Sequence, residues 1–148
     1  MNIPLVIRGV QASDEIAWHR LWAAYNRFYE AAVAPDVTDR TWKRLLDATN
    51  PLFCRVAEKA GKVIGFTNNV LHEGTWVVEP ICYLEDLFVT PEARGCGVGR
   101  ALIRDLVDLG RKQNWSRLYW HTRENNPARK LYDEFVKADD FVRYRMDL

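Results

Sequence analysis

The sequence has 148 residues, with 21 Lys and Arg against 20 Asp and Glu and a formal net charge of +1. This balance gives no broad electrostatic footprint for nucleic acid or for an anionic membrane, so we expect neither as a partner. The length fits a single domain over residues 1–148, and the three cysteines match neither a disulfide framework nor a zinc site. Because the N-terminus also lacks the features of a signal peptide, the sequence predicts a cytoplasmic protein without a bound metal.

The first half of the chain predicts one strand followed by two helices. A short apolar run at residues 5–10 is typical of a strand, and Ser13 is placed to cap the helix that follows. Aromatic residues then recur at helical spacing as far as Tyr29, which we expect at the edge of a pocket, in contact with substrate. After the segment "APDV" interrupts this helix, Thr38 is predicted to cap a second one.

The second half predicts five strands and two helices. Apolar runs at residues 53–58, 63–71 and 81–89 are predicted strands. A glycine-rich segment then opens a helix, "SRLYWHT" follows as a strand, and Asn126 with Pro127 is predicted to begin the last helix. The segment "FVRYRMDL" is predicted to close the chain as a strand. The order β-α-α-β-β-β-α-β-α-β indicates an α/β fold with a mixed, twisted central sheet flanked by helices.

The glycine-rich segment "RGCGVGR" lies between a predicted strand and a predicted helix, which is a typical anion site. Backbone N–H groups converge at such a turn, and the positive end of the helix dipole adds to their effect. The segment lacks the Gly-Lys-Ser/Thr of a Walker loop and the GxGxxG spacing of a dinucleotide fingerprint. A turn without a ligand and a nucleotide-binding domain of another type remain alternatives. The residues concerned are Arg94, Gly95, Cys96, Gly97, Val98, Gly99 and Arg100.

Several segments resemble the GNAT family of N-acetyltransferases. "RGCGVG" is similar to the family's R/Q-x-x-G-x-G/A loop, and "NNPARKLYDEF" is similar to its N-x-x-A-x-x-L-Y segment. "YLEDLFV" resembles the diamine acetyltransferases, whereas "LYWHTRENNPARKLYD" and "FVRYRM" resemble the yeast histone and polyamine acetyltransferase branch. The resemblance implies the acyl-coenzyme A N-acyltransferase fold. The Gly-Phe that many members carry after the tyrosine helix is replaced here by "VKADDFVRY", which leaves the register of the final strand open.

The resemblance also implies how acetyl-coenzyme A, as co-substrate, would be held. The strand before the loop pairs with the pantetheine arm, the loop binds the pyrophosphate, and the segment after the next strand contacts the rest of the cofactor. The cofactor-binding residues implied in this way are Leu87, Phe88, Val89, Arg94, Gly95, Cys96, Gly97, Val98, Gly99, Arg100, Asn125, Ala128 and Tyr132.

Two adjacent carboxylates, Glu85 and Asp86, lie in an otherwise apolar strand, where they cost desolvation energy unless they are paired or functional. In an ideal strand they face opposite sides, so we expect different roles for them. By resemblance, Glu85 is the candidate base, acting through water on the amine, and Asp86 binds a cationic substrate. Tyr132 is the candidate acid for the departing thiolate. Pairing of the carboxylates with an arginine, packing of Tyr132 and a base role for His121 remain alternatives.

The resulting hypothesis is an acetyl-coenzyme A-dependent N-acetyltransferase that works by direct attack in a ternary complex. The expected acceptor is a primary amine, either a small amine or polyamine or a lysine side chain. The alternative is a catalytically silent acyl-coenzyme A sensor on the same fold, which would need the loop but neither Glu85 nor Tyr132. A homodimer is expected from the family, with "FVRYRMDL" as a participant through edge pairing.

Overall fold

A computed structural model describes residues 3–148 as a central sheet with helices on both faces. Within this range the chain forms five strands and four α-helices. In chain order they are β1 (Leu5–Gly9), α1 (Glu15–Phe28), α2 (Pro35–Leu46), β2 (Leu52–Lys59), β3 (Lys62–Gly74), β4 (Val77–Val89), α3 (Val98–Gln113), β5 (Arg117–Tyr119) and α4 (Arg129–Tyr132). The same residues contain no helix both long and apolar enough to cross a bilayer.

The sheet has the order β1-β2-β3-β4-β5, antiparallel throughout except for the parallel pair β4–β5. Side chains alternate between its faces, and each face has its own core. On one face, α1 and α2 bury Trp18 and Trp42 against strand residues that include Phe66. On the other, α3 buries Leu102 and Leu106. The predicted α/β fold with a mixed sheet is therefore confirmed.

The start of α1 is organised by Asp14, and the prediction that Ser13 caps it is wrong. The buried Asp14 carboxylate accepts a hydrogen bond from the Gln11 N–H at 2.8 Å. The same carboxylate accepts a hydrogen bond from each Nη atom of Arg8, at 2.8 and 2.9 Å. Hydrogen bonding to Arg8 holds the pKa of Asp14 below its ordinary value despite burial. Ser13 is exposed and forms no capping hydrogen bond.

The second helix begins four residues earlier than predicted, at Pro35 rather than at residue 39 after a Thr38 cap. Proline at the first helical position has a suitable fixed φ and lacks only an N–H that would be unpaired there. Thr38 lies inside the first turns, where its hydroxyl accepts a hydrogen bond from Trp22 Nε1 at 3.1 Å. Thr38 therefore links α2 to α1 through a side-chain hydrogen bond and does not cap α2.

The predicted closing strand is absent from the described residues, because 141–148 form no strand and join no sheet edge. An isolated strand is not stable without a partner, and the neighbouring edge strand β5 spans only three residues. The large apolar side chains of this segment are consequently exposed: Phe141, Val142, Tyr144, Met146 and Leu148. Their alternation with charged residues explains why the sequence predicted a strand.

Candidate active site

The site lies where β4 and β5 part. The two strands pair at only three positions, the last of which joins Tyr83 to Tyr119. Beyond it β4 continues to Val89 without a neighbour on that side in the described part of the chain. An unpaired strand edge offers backbone N–H and C=O groups to an extended ligand.

A cavity of about 480 Å³ lies beside this edge, within the size range of small-molecule sites. It is enclosed by β4, the glycine-rich loop, the start of α3, the α4 segment and the end of α1. Cys96 and Asn125 are exposed and do not line it, whereas Asn126 does. The predicted site residues that line it are Tyr29, Leu87, Phe88, Val89, Arg94, Gly95, Gly97, Val98, Gly99, Arg100, Ala128 and Tyr132.

The glycine-rich loop directs backbone donors at the cavity. Gly95 and Gly97 have φ values of 77° and 82°, which L-residues with a side chain rarely adopt. The first N–H bonded within α3 is that of Ala101, to the Gly97 carbonyl at 3.0 Å, so the N–H groups of 98–100 have no acceptor in the helix. Gly99 has a different role, since a Cβ there would lie 3.2 Å from Leu131 Cδ2. It lets the α4 segment approach α3.

The two arginines of the loop differ in their partners. Arg94 donates from Nε to the Val89 carbonyl at 3.0 Å, and its guanidinium lies 5.2 Å from the ring centroid of Phe28. Arg100 forms two hydrogen bonds with Glu134, at 2.8 and 2.9 Å. Both members of that pair are well exposed, so the pair contributes little to stability. Arg94 therefore supplies the positive charge at the cavity that no carboxylate among residues 3–148 neutralises.

Glu85 and Asp86 lie on a β-bulge of β4. Asn68 of β3 pairs with Asp86 and Asn69 pairs with Leu84, which leaves Glu85 as the extra residue. The expected placement on opposite faces is wrong, because a bulge breaks the alternation of an ideal strand. Burial raises the pKa values of Tyr25, Tyr83 and Tyr119, which lie on the side of the sheet that Asp86 occupies. The negative charge of Glu85 adds to each of these increases. The bulge thus gathers two carboxylates on one side of the sheet.

The two carboxylates have different surroundings. Glu85 is exposed, while Asp86 is largely buried and receives a hydrogen bond from Asn68 Nδ2 at 3.2 Å. Burial raises the pKa of Asp86 to about 6; Tyr25 and Asn68 oppose this rise by hydrogen bonding, and the charge of Glu85 adds to it. Within residues 3–148 neither carboxylate belongs to an ion pair, so the alternative of a structural pair with arginine finds no support.

Tyr132 lines the cavity from α4. Its ring meets Trp120 edge to face, with centroids 5.6 Å apart. Burial raises the pKa of Tyr132 to about 12, so the hydroxyl keeps its proton at neutral pH. The turn that carries it is fixed by Asn126, whose Oδ1 accepts a hydrogen bond from the Ala128 N–H at 2.9 Å. The predicted helix start at Asn126 is shifted, since α4 itself begins at Arg129.

Known proteins that are similar to this chain are acetyltransferases. The family model described as "Acetyltransferase (GNAT) family" matches residues 18–135. The D-amino-acid N-acetyltransferase HPA3 of Saccharomyces cerevisiae is 33% identical over 148 residues, which cover 98% of this chain and 92% of that protein. The chain belongs to the GNAT acetyltransferase family. The predicted enzyme class, an acetyltransferase that uses acetyl-coenzyme A, is confirmed with it.

Solved structures confirm the GNAT fold. A ribosomal-protein-alanine N-acetyltransferase from Brucella melitensis biovar Abortus 2308 superimposes with a TM-score of 0.83 at 23% identity, covering 98% of this chain and 100% of that one. An aminoglycoside N-acetyltransferase in complex with coenzyme A gives a TM-score of 0.82 at 20% identity, covering 100% of this chain and 98% of that one. At these identities the likeness concerns the fold alone.

The residues around the cavity of this GNAT chain fit acetyl-coenzyme A. The cavity combines an open strand edge, helix N-terminal N–H groups and a cation, which suit an extended amide-containing arm that ends in a pyrophosphate. No group of three or more His, Cys, Asp or Glu side chains able to hold a metal occurs among residues 3–148.

Sequence reasoning missed a cluster of rings beside the acidic bulge. Tyr83 and Tyr119 stack with centroids 5.0 Å apart and an interplanar angle of 19°. His121 Nδ1 lies 3.3 Å from the Tyr83 hydroxyl, and His72 Nε2 lies 2.9 Å from the Tyr119 hydroxyl. His121, the alternative base candidate, therefore belongs to this cluster and not to the cavity lining. The signal that could have found it is the pairing of "RLY" with "ICY" across the parallel strands β5 and β4, which places Tyr119 beside Tyr83.

Because its pKa is raised, the ionised carboxylate of Asp86 lowers the stability of the folded GNAT enzyme at neutral pH. The folded pKa of about 6 exceeds the ordinary 3.8, so the folded state binds the proton more tightly. Stability is then lost as pH rises from about 4 through about 6, by up to about 3 kcal/mol before solvent screening. We expect Asp86→Asn to raise the free energy of unfolding by about 1–2 kcal/mol at about pH 8, and by less at about pH 5. Urea denaturation of both proteins measures this difference. A variant that is less stable at the higher pH would contradict it.

Proposed function

We propose that this GNAT enzyme transfers the acetyl group of acetyl-coenzyme A to a primary amine, by direct attack within a ternary complex. The observation that supports this most is the arrangement along the free edge of β4. The glycine-rich loop lies at one end of the cavity, a bulge with two carboxylates lies on the strand that lines it, and Tyr132 lines the wall. These features supply donor binding, amine binding and proton transfer within one domain formed by residues 1–148.

The cofactor would be held by backbone more than by side chains. The N–H groups of 98–100 and the Arg94 guanidinium bind the pyrophosphate. The free edge of β4 pairs with the pantetheine amides at Leu87 and at the Val89 N–H, since the Val89 carbonyl already accepts a hydrogen bond from Arg94. Bound in this way, acetyl-coenzyme A supplies a thioester carbonyl for attack. Phe28 and Tyr29, at the end of α1, cover this arm from the other side of the cavity.

Glu85 is the proposed base. An amine with a pKa near 10.4 is almost entirely protonated at neutral pH, so one proton must leave before attack. Because Glu85 is exposed on the bulge, its carboxylate can take that proton through a water molecule and release it to bulk solvent. Asp86 cannot exchange protons as freely, since it is largely buried.

Asp86 is proposed to hold the ammonium group of the acceptor. Asn68 and Tyr25 fix its carboxylate, and no other cation among residues 3–148 competes for it. A carboxylate already desolvated in the folded protein loses little hydration when the amine binds. Because its pKa is about 6, amine binding should weaken as pH falls below that value.

Tyr132 is proposed to assist the departing sulfur. With a pKa of about 12 it is a weaker acid than a thiol of pKa about 8.5, so its proton remains mostly on the phenol oxygen. Its contribution is then a hydrogen bond that stabilises the developing thiolate. Tyr132 is therefore proposed to donate a hydrogen bond to the sulfur, in place of the general-acid role expected from the sequence.

Tyr132→Phe is expected to lower kcat about 10- to 100-fold, because one hydrogen bond to a charged leaving group is lost. The KM for the amine should stay nearly constant, since the hydroxyl acts only as the sulfur departs. Coenzyme A thiol release measures both quantities, and Trp76→Phe, at an exposed ring outside the site, serves as the control. An unchanged kcat would assign Tyr132 to packing against Trp120.

The acceptor is proposed to be a small amine, a polyamine, an amino acid or a lysine side chain. The name of the yeast relative, a D-amino-acid N-acetyltransferase, adds free amino acids to the amines expected from the sequence. The test is thiol release with acetyl-coenzyme A across a panel of butylamine, spermidine, D- and L-amino acids and a lysine peptide. One class with kcat/KM well above the others would identify the acceptor. Tight cofactor binding without turnover on any of them would favour the silent sensor.

We propose further that the enzyme is a cytoplasmic homodimer. Its three cysteines are free, which suits a reducing compartment. The exposed segment 141–148 alternates apolar and charged residues, a pattern that is stable only when another strand pairs with it. Sedimentation of the full chain and of a chain ending at residue 140 tests this. A full chain that is monomeric at high concentration would contradict it.

A further inference from the structure

Two buried hydrogen bonds connect α1 to a carboxylate of the acidic bulge. Trp18 of α1 is fully buried, and its indole Nε1 donates to Asn68 Oδ1 at 3.4 Å. Asn68 lies opposite Asp86 in the register of β3 and β4, and its Nδ2 donates to Asp86 Oδ2 at 3.2 Å. One side-chain amide, only 5% exposed, therefore joins a core tryptophan to the proposed amine site.

The two partners of Asn68 fix the orientation of its amide. The indole N–H only donates, so the atom that faces Trp18 is the amide oxygen. An ionised carboxylate only accepts, so the atom that faces Asp86 is the NH2 group. Rotation of the amide by half a turn would place N–H against N–H at one end and oxygen against carboxylate at the other. The observed orientation thus favours the ionised form of Asp86.

Packing holds the Trp18 ring in the position that this orientation requires. The ring stacks on Trp22 with centroids 5.4 Å apart, and it lies 5.3 Å from the ring of Trp42. A buried indole N–H is destabilising without an acceptor, so the ring and the Asn68 oxygen depend on each other. Trp42 belongs to the same core and, within residues 3–148, donates no hydrogen bond to Asn68 or Asp86.

The other groups around Asp86 differ in their effect on its charge. Burial raises the pKa of Asp86, and the negative charge of Glu85 on the same strand adds to this rise. Hydrogen bonds from Tyr25 of α1 and Asn68 of β3 oppose it. Burial also raises the pKa values of the titratable groups on which the charge of Asp86 acts, so these groups stay neutral: Tyr25 of α1, Cys54 of β2 and Tyr83 of β4.

We propose that Trp18 is a positioning residue for the amine site, because its indole N–H keeps the Asn68 NH2 group turned toward Asp86 and so keeps that carboxylate ionised. Trp18 does not line the cavity and acts through Asn68 alone. The inference rests on the proposed function, in which Asp86 holds the ammonium group of the acceptor.

The test follows the pKa of Asp86 by ¹³C NMR of its side-chain carboxyl, with Asp86→Asn to assign the signal. Trp18→Phe keeps an aromatic ring and removes the N–H. It should tighten proton binding to Asp86 about tenfold, which moves the midpoint from about 6 to about 7. In the enzyme–coenzyme A complex, the pH below which butylamine binding weakens should rise with it. A midpoint that Trp18→Phe leaves in place would overturn the inference.

Trp42→Phe is the matched control, since it truncates a buried ring of the same core. We expect it to lower stability about as much as Trp18→Phe and to leave the Asp86 midpoint at its wild-type value. Equal midpoint shifts in both variants would assign the effect to packing and overturn the inference. A shift confined to Trp18→Phe supports the inference even if no amine is acetylated, so thiol release tests the proposed function separately.

The wild-type enzyme provides a test that needs no variant to fold. In ¹H–¹⁵N spectra the Trp18 indole and the Asn68 amide should both shift with pH at the midpoint of Asp86, and an indole signal that does not titrate would contradict the proposal. Asn68→Leu removes the connecting amide and should raise the midpoint at least as much as Trp18→Phe. Adding Trp18→Phe to Asn68→Leu should then change nothing further, whereas additive shifts would overturn the inference.

Discussion

Glu85→Gln is expected to lower kcat by about 10²- to 10⁴-fold, the usual contribution of a general base. The substitution keeps the size and hydrogen-bonding capacity of the side chain and removes only its ability to take a proton. Without the base, attack depends on the small fraction of amine that is already neutral. The residual kcat/KM should therefore rise about tenfold for each unit of pH, up to the amine pKa near 10.4.

Two variants control this experiment. Glu79→Gln changes an exposed carboxylate of the same strand outside the site, and should leave kcat and KM as in the wild type. Asp86→Asn should mainly raise the KM for the amine, because it removes the charge that binds the ammonium group. If Asp86→Asn lost kcat and Glu85→Gln retained it, the two roles would have to be exchanged. Equal rates for all three variants would remove both carboxylates from the mechanism.

Gly97→Val is expected to weaken coenzyme A binding at least about 100-fold. Valine at a φ of 82° is strained, and relief of that strain turns the N–H groups of 98–100 away from the pyrophosphate. Loss of two charge-assisted hydrogen bonds accounts for about 3–6 kcal/mol. Isothermal titration calorimetry with coenzyme A measures the change.

The matched control is Gly61→Val, in the turn between β2 and β3. Gly61 has a similar φ of 74°, and a Cβ at this position would meet no atom within 4 Å, but the residue lies outside the cavity. Both variants should lose a similar amount of stability through backbone strain, and only Gly97→Val should lose affinity. Equal affinity losses would mean that strain lowers binding globally, and an unaffected Gly97→Val would exclude the loop from cofactor binding.

Much of the fold follows from local sequence patterns. The strands at 53–58, 63–71 and 81–89 were predicted within a few residues, because each alternates or runs apolar between clear turns. The errors occur where a helix start or a strand depends on distant partners. Asp14 organises α1 through Arg8 of β1, and the segment 141–148 has a strand pattern but no sheet edge to pair with. Neither fact can be read from the spacing of apolar residues.

Most residues of the candidate site could be predicted from the sequence, but their positions relative to one another could not. The glycine loop and Tyr132 follow from motifs, and both line the cavity. The bulge at Glu85 requires the register between β3 and β4, which a single sequence does not contain. The expectation that burial in the strand desolvates both carboxylates is therefore correct only for Asp86, because Glu85 is exposed. The partnership of His72 with Tyr119 is likewise a product of strand pairing over 47 positions.

The measurement that tests the central claim most directly follows the thiol and the acetyl group in one reaction. Enzyme and acetyl-coenzyme A are mixed with and without an amine, and free thiol, acetylated amine and acetylated enzyme are quantified together. Direct transfer predicts thiol release only when the amine is present, one acetylated amine for each thiol, and no acetylated enzyme. Thiol release without amine, or an acetyl-enzyme that passes its group to the amine, would contradict the account, as would tight binding with no release on any amine.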